Sequence, residues 1–340
     1  MAITLLEVTK MERNRSIDIF RYVCAIMVIA IHTRPFYDID THWGYVFSQI
    51  LPRIAVPFFF LVSGYFYTRS LKAGKRIFFP YIKRILQHYA IWSIPYFILD
   101  LLQWGTQNIK GFLANCLYAF TITGSHYHFW FFPALIFAVC ATTVMYKSGL
   151  QKTLIPFSLI LYAVGCLGCS YRSWGMHIPV LSMLYASPHF TTIRQIVLMG
   201  FPFFSAGSLV LEIENFTKVH NISKKKTAWL LAGSAAIWLG EILVVILCQL
   251  QDNIIITLGL YLLAVMTMVF LLQHPMPQAH VLSRKCRILA DFTYCVHPLI
   301  IAALNYVAAN ALTETALFLL TAGTTGVLGL LLYRKKAMRT

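Results

Sequence analysis

Long apolar stretches alternate with short polar segments along almost the whole chain. About ten of these stretches reach the roughly 17 to 25 residues that a helix needs to cross the hydrocarbon core of a bilayer. Their approximate limits are residues 17–36, 48–68, 84–102, 128–147, 152–170, 194–212, 226–250, 253–273, 286–309 and 314–334. The pattern predicts an all-α, polytopic transmembrane helical bundle of about ten spans. It forms one domain over residues 1–340, with short tails at 1–15 and 334–340.

Composition agrees with a membrane protein. Apolar residues make up 59% of the chain and charged residues only 12%, and the mean hydropathy is +0.69. An ordinary soluble domain has a charged share nearer a quarter, so that class is excluded. The eight cysteines lie mostly within apolar stretches and show no paired spacing, and the Cys-x-x-Cys run at 166–169 has no second pair. We therefore expect neither a disulfide framework nor a metal site.

The net charge of +16 comes from clusters of Lys and Arg in alternate polar segments. An even number of spans puts both termini on one side, and the segments on that side hold nearly all the basic residues. The opposite loops hold little beyond Lys110 and Arg172. The positive-inside rule therefore predicts cytosolic termini, a cytosolic segment at 69–84 and an external loop at 37–47. Because the clusters follow no single amphipathic face, we expect no nucleic-acid partner.

Two ionisable residues, Arg21 and His32, interrupt the first apolar stretch, where such side chains are costly and usually functional. Eleven helical residues return the chain to within roughly 20° of its starting face and advance it by about 16 Å. Arg21 and His32 are therefore predicted to face the same space at two membrane depths. This layout suits a site that holds an anionic group at one end and transfers protons at the other.

The surroundings of these two residues support that interpretation. Asp18 lies three residues before Arg21, so an ion pair would orient the guanidinium and lower the cost of burying it. The guanidinium is a permanent cation whose donors suit phosphate. A neutral imidazole at position 32 suits a general base toward a hydroxyl. A buried histidine that only hydrogen-bonds a neighbouring helix is the alternative for His32.

Glu241 is near the middle of the seventh apolar stretch. An unpaired carboxylate at that depth costs several kcal/mol, so it must be protonated, paired or exposed to a wet cavity. Two roles stay open: a catalytic partner of an imidazole or guanidinium, and a hydrogen bond that only packs helices.

The segment 69–84 carries six basic residues, among them Arg76, Lys83 and Arg84. Such a cluster either sets orientation and contacts anionic lipid, or binds a cytosolic polyanion such as a nucleotide-bearing cofactor. Weaker signals come from polar residues that interrupt aromatic or proline-containing apolar runs, namely Ser63, His128 and His297. Trp130 belongs to the same aromatic run as His128.

These residues resemble membrane acyltransferase family 3, the bacterial integral membrane O-acyltransferases. The most specific match is Ile-Asp-x-x-Arg at 17–21 followed by His32 at the family's spacing. Phe-Phe-x-x-Ser-Gly-Tyr at 59–65, the basic segment that ends at Arg84, His-x-Trp at 128–130 and Tyr-x-x-His-Pro at 294–298 follow in the family's order. The runs at 53–60 and 127–134 are similar to the membrane domains of vancomycin-resistance serine racemases.

The resemblance implies a multi-pass enzyme of the bacterial inner membrane. It would move an acyl group, usually acetyl, from cytosolic acyl-coenzyme A to a hydroxyl of a lipid-linked or cell-envelope glycan. His32 would be catalytic with Glu241, and Arg21, Arg76, Lys83 and Arg84 would bind the donor. Gln87 replaces an arginine found in many members, which weakens the transfer of the donor-site roles.

The racemase-like membrane domains suggest an alternative, a permease for a small amino acid such as serine, which needs no acyl-coenzyme A. The sequence leaves open the acceptor, the acyl chain length and whether the protein forms a homo-oligomer.

Overall fold

The computed structural model describes residues 14–104, 109–250 and 254–337. All regular secondary structure within these ranges is helical. The α-helices are α1 (Arg15–Thr33), α2 (Thr41–Tyr45), α3 (Ala55–Lys72), α4 (Phe78–Trp104), α5 (Ile109–Tyr118), α6 (Phe131–Lys147), α7 (Leu154–Leu167), α8 (Arg172–Gly175), α9 (Pro179–Ala186), α10 (Phe190–Ile193), α11 (Phe201–Val219), α12 (Lys224–Leu247), α13 (Leu258–Gln273), α14 (His280–Val307) and α15 (Glu314–Ala337). The tail residues 1–13 and 338–340 lie outside the described part of the chain.

Within the described residues, seven helical segments are long and apolar enough to cross a membrane. They are Arg15–Thr33, Thr41–Lys72, Phe78–Leu102, Phe190–Val219, Lys224–Leu247, His280–Val307 and Glu314–Arg334. Three shorter apolar helices, α6, α7 and α13, lie at the other predicted spans. The predicted all-helical fold is confirmed, whereas the count of ten spans and the cytosolic termini stay predictions.

The described chain divides into two compact units. The terminal unit comprises residues 14–59 and 267–337, and the central unit comprises residues between 60 and 266. The prediction of one domain over the whole chain stays a prediction.

In the terminal unit, α1 packs against α14 and α15. The side chain of Asn14 accepts a hydrogen bond from the backbone N–H of Ser16, which satisfies one of the free donors at the start of α1. The amide of Asn14 also donates to the carbonyl of Leu271, 2.8 Å away. Helix α1 ends where Arg34 adopts a left-handed conformation with φ of 54°, so His32 lies in its last turn.

Helices α1 and α14 run parallel. Residues that pair across their interface advance in the same direction along both helices, as the contacts of Asp18 with Ser283, Arg21 with Asp291 and His32 with His297 require. The first and ninth spans of an alternating topology also share one direction, so this pairing agrees with the predicted order of the spans.

In the central unit, α3 and α11 cross at two glycines. A Cβ atom at Gly64 would overlap the backbone of Phe204, and one at Gly207 would overlap the backbone of Tyr65. Such close contact between backbones requires small residues, a device that membrane helices use often. The Ser-Gly-Tyr run at 63–65 therefore has a packing role at its glycine.

The same two helices meet in a polar network close to this crossing. Tyr65 donates to a carboxylate oxygen of Glu214 at 2.5 Å, and the ammonium of Lys218 lies 2.5 Å from the other oxygen. Glu214 is buried, so these partners offset the cost of its charge. A guanidinium nitrogen of Arg69 donates to the hydroxyl of Tyr65 at 3.3 Å.

Candidate functional site

The arginine of the opening motif is buried in an ion pair within the terminal unit. Nη2 of Arg21 donates to Oδ1 of Asp291 at 2.9 Å, and Nη1 lies 4.0 Å from Oδ1 of Asp18. Asp18 accepts a hydrogen bond from the hydroxyl of Ser283 at 2.8 Å. Two carboxylates thus lie close to one guanidinium and offset the free-energy cost of burying its charge. No described residue accepts a hydrogen bond from Nη1 of Arg21.

Asp291 is absent from the residues that the sequence analysis predicted. The signal was present, because Asp291 is an acidic residue inside an apolar stretch, six residues before His297. Asp18 drew attention because it is three residues from Arg21, where the helical repeat brings side chains together. The closer partner comes from α14, and only the packing of the helices reveals it.

His32 and His297 form a stacked pair in the terminal unit. Their ring centroids are 5.3 Å apart and the rings are inclined by 23°. His297 is fully buried and His32 is half-buried. Nδ1 of His297 lies 3.0 Å from the carbonyl of Tyr294 and 3.1 Å from that of Thr293. These two histidines belong to separate sequence motifs, and the structure brings them together.

In the central unit, His128 belongs to a cluster of rings before α6. Its Nδ1 lies 3.2 Å from Nδ1 of His126, so one of the two nitrogens carries the shared hydrogen. The ring of Tyr96 packs on both imidazoles, with centroid distances of 4.4 Å to His126 and 5.3 Å to His128. Burial lowers the pKa of His126 to about 4, so its ring is neutral at physiological pH.

His126 is not among the residues predicted from the sequence, although the His-x-His spacing at 126–128 is a signal that could have found it. Trp130, the other predicted residue in this segment, is half-buried and packs near Phe60, with ring centroids 5.9 Å apart.

Glu241 is bound at the start of a helix of the central unit. One carboxylate oxygen accepts hydrogen bonds from the backbone N–H of Leu258 at 2.6 Å and from the hydroxyl of Tyr171 at 2.5 Å. The other accepts from the backbone N–H of Gly259 at 2.5 Å. Leu258 and Gly259 begin α13, where helical N–H groups have no partner of their own and favour an anion. This geometry supports the packing alternative for Glu241; its catalytic role stays a prediction.

The basic residues predicted to bind the donor lie in the central unit. Arg76 and Lys83 are exposed, and Arg84 is half-buried with one buried nitrogen, Nη1, that contacts no acceptor among the described residues. Ser63 is half-buried beside Gly64. The three basic side chains, Arg76, Lys83 and Arg84, provide positive charge that suits an anionic ligand or lipid headgroups.

The predicted residues thus fall into two groups. The terminal unit holds Asp18 beside Arg21 and, toward the other end of α1, His32 on His297. The central unit holds the others, namely Ser63, Arg76, Lys83, Arg84, His128, Trp130 and Glu241. In the terminal unit, α1 therefore carries a buried cation, Arg21, and about 16 Å further along a histidine, His32, that stacks on His297 of α14.

A comparison with protein families matches residues 14–334 with the acyltransferase domain of acyltransferase family 3. The chain belongs to this family. The match covers both units and every residue discussed above. This acyltransferase-3 protein therefore has the sequence of a multi-pass membrane acyltransferase, as the motifs predicted.

Curated relatives of the chain are named as racemases and not as acyltransferases. The acyltransferase-3 chain is 35% identical over 184 residues to an amino-acid racemase of Enterococcus faecalis, a match of 51% of this chain and 25% of that protein. It is 30% identical over 167 residues to a serine/alanine racemase of Enterococcus gallinarum, a match of 47% of this chain and 23% of that protein. The chain thus spans about a quarter of the length of these relatives. No solved structure matches it significantly.

Proposed function

We propose that this acyltransferase-3 protein is an O-acyltransferase of the bacterial inner membrane. It moves an acyl group, usually acetyl, from cytosolic acyl-coenzyme A to a hydroxyl of a lipid-linked or cell-envelope glycan. The observation that carries the proposal is the half-buried His32 in the last turn of α1, stacked on His297. The family match supports the class of reaction.

His32 serves as the general base in this proposal. It takes the proton of the acceptor hydroxyl as the oxygen attacks the thioester carbonyl carbon. The new C–O bond forms, the C–S bond breaks, and the proton passes from the imidazole to the departing thiolate of coenzyme A. The ester and free coenzyme A are the products, and His32 returns to its neutral form.

Arg21 is proposed to bind the phosphates of the donor. The distance of about 16 Å along α1 is comparable with an extended pantetheine arm. Nη2 is held by Asp291, and Nη1 makes no hydrogen bond with the described residues. The ion pair therefore orients the guanidinium, and Nη1, which is buried in this structure, is the nitrogen that an entering phosphate would have to reach. Arg76, Lys83 and Arg84 are proposed as further phosphate contacts.

A permease for a small amino acid such as serine is the second candidate. The observation in its favour is the naming of relatives as amino-acid and serine/alanine racemases, whose matched residues cover about half of this chain. A permease would bind its substrate without any requirement for acyl-coenzyme A.

Two measurements on purified protein separate the candidates. The acyltransferase should bind acetyl-coenzyme A and hydrolyse it slowly when no acceptor is present, because His32 then directs water to the thioester. The permease should instead carry labelled serine into proteoliposomes. Serine uptake together with no detectable binding at millimolar acetyl-coenzyme A would replace the first proposal by the second.

A further inference from the structure

A proline inside α14 leaves one carbonyl without its helical donor. Pro298 lies within the helix, and a proline nitrogen carries no hydrogen. It therefore cannot bond to the carbonyl of Tyr294, four residues earlier. Tyr294 is buried, and a buried carbonyl without a partner is costly, above all inside a membrane.

His297 supplies the missing donor from the adjacent position. Its Nδ1 lies 3.0 Å from the carbonyl oxygen of Tyr294 and 3.1 Å from that of Thr293. A carbonyl only accepts hydrogen bonds, so Nδ1 must carry the hydrogen. Neutral His297 is thereby held in the tautomer that has its hydrogen on Nδ1 and its lone pair on Nε2. Pro298 removes the helical donor of the Tyr294 carbonyl, and Nδ1–H of the adjacent His297 reaches that carbonyl as well as the carbonyl of Thr293.

This hydrogen bond fixes the ring on which His32 rests. The imidazole of His297 is tied to its own helix on one edge and stacks on His32 at 5.3 Å. His297 is fully buried, so a charge on it would be costly. A neutral aromatic ring next to a cation is favourable, whereas a second imidazolium would repel the first. A neutral ring here favours the positive charge that His32 acquires when it accepts a proton.

We infer that His297 is a positioning residue for His32, held in this tautomer by the carbonyl of Thr293 and by that of Tyr294, which loses its helical donor to Pro298. The inference explains why a histidine and a helix-interior proline stand side by side. It rests on the proposed acyl transfer only for the role of His32 as the base. The tautomer itself is independent of activity.

One variant is Pro298→Ala, which restores a backbone donor for the carbonyl of Tyr294 and leaves Nδ1 of His297 with the carbonyl of Thr293. The helix should be at least as stable, while kcat falls because one carbonyl instead of two holds the ring, and KM for acetyl-coenzyme A changes less than twofold. Pro95→Ala is the matched control, because Pro95 also lies inside a helix and Ile94 precedes it. That variant should keep wild-type kinetics.

Two variants of the ring itself test its role. His297→Phe keeps a stacked aromatic ring beside His32, whereas His297→Leu keeps only apolar volume. The phenylalanine variant should retain more of kcat than the leucine variant. Equal kcat values for both would overturn the stacking role, and wild-type kcat in Pro298→Ala would overturn the positioning role.

The tautomer has a readout that needs no activity. In 15N NMR of histidine-labelled protein, the His297 signals, assigned by their loss in His297→Phe, should show hydrogen on Nδ1 and none on Nε2. Pro298→Ala should shift the Nδ1 resonance, because the carbonyl of Tyr294 then gains a backbone donor. Hydrogen on Nε2 in the wild type would overturn the inference. If the wild type neither binds nor cleaves acetyl-coenzyme A, the proposed function fails, and the NMR result still decides the tautomer.

Discussion

The guanidinium of Arg21 in α1 donates to the carboxylate of Asp291 in α14 across 2.9 Å, although the two residues are 270 positions apart in the sequence. Both side chains are largely shielded, with 9% and 14% of their surfaces exposed. Ser283 and Asp18 make a second link between the same helices. These links hold α1 and α14 in the register that brings His32 onto His297.

Removing one partner of this ion pair should destabilise the fold strongly. Asp291→Asn leaves the charge of Arg21 without its closest counter-ion, and breaking a buried pair costs about 3–5 kcal/mol. The midpoint of thermal unfolding in detergent should fall. The exposed pair of Lys72 and Glu212, 3.5 Å apart, is the control: Glu212→Gln should change the free energy of unfolding by less than about 1 kcal/mol. Equal effects of the two variants would contradict the assigned role.

The glycine crossing in the central unit gives a second prediction. Gly64→Ala forces α3 and α11 apart, because the new Cβ meets the backbone of Phe204 rather than a movable side chain. The expected cost is about 1–3 kcal/mol or more. Gly233 lies in α12 with open space around it, so Gly233→Ala should leave stability unchanged or slightly higher. An unfolding midpoint of Gly64→Ala equal to or above that of Gly233→Ala would contradict the close backbone contact at Gly64.

Replacement of Glu241 should lower the stability of the fold. Glu241→Ala removes the acceptor for two backbone N–H groups at the start of α13 and for Tyr171. Of these three donor residues, Gly259 is buried, and a buried donor left unsatisfied costs about 1–3 kcal/mol, so the unfolding midpoint should fall. Tyr171→Phe removes one hydrogen bond and should cost less. If Glu241→Ala keeps wild-type stability and loses acyl transfer, the carboxylate is catalytic and the packing role is wrong.

His126 should make stability depend on pH. Burial lowers its pKa from 6.5 to about 4 in the folded protein. Between about pH 4 and 6.5 the unfolded chain therefore binds more protons than the folded one, and stability rises with pH across that window. His126→Phe should flatten this part of the pH profile relative to the wild type. An NMR titration of His126 with a midpoint near 6.5 would contradict the burial argument.

The positions of the helices could be predicted from the sequence, whereas most contacts between them could not. Apolar length located the helical segments, and the helical repeat correctly set Arg21 and His32 on one helix, because both signals are local. The pairing of Arg21 with Asp291 depends on the register of α1 against α14, which no local spacing encodes. The same holds for Glu241, whose partners at Leu258 and Gly259 become visible only when α12 packs on α13.

The histidines of the site illustrate the same limit. The motifs named His32 and His297 separately, and the order of motifs could not show that their rings stack. The tie between His297 and the carbonyl of Tyr294 was visible in principle, because a proline leaves the carbonyl four residues before it without a donor. The sequence does not show that one continuous helix runs through Pro298, and this contact depends on that helix.

The measurement that tests the central claim most directly is acyl transfer by folded His32→Ala protein. If His32 is the base, kcat should fall by about 100-fold or more while the affinity for acetyl-coenzyme A changes little. Arg21→Ala should instead weaken donor binding, and Arg21→Lys should restore part of it. An unfolding midpoint near that of the wild type shows that each variant is folded. Wild-type transfer by folded His32→Ala would contradict the claim, because another group would then have to accept the proton.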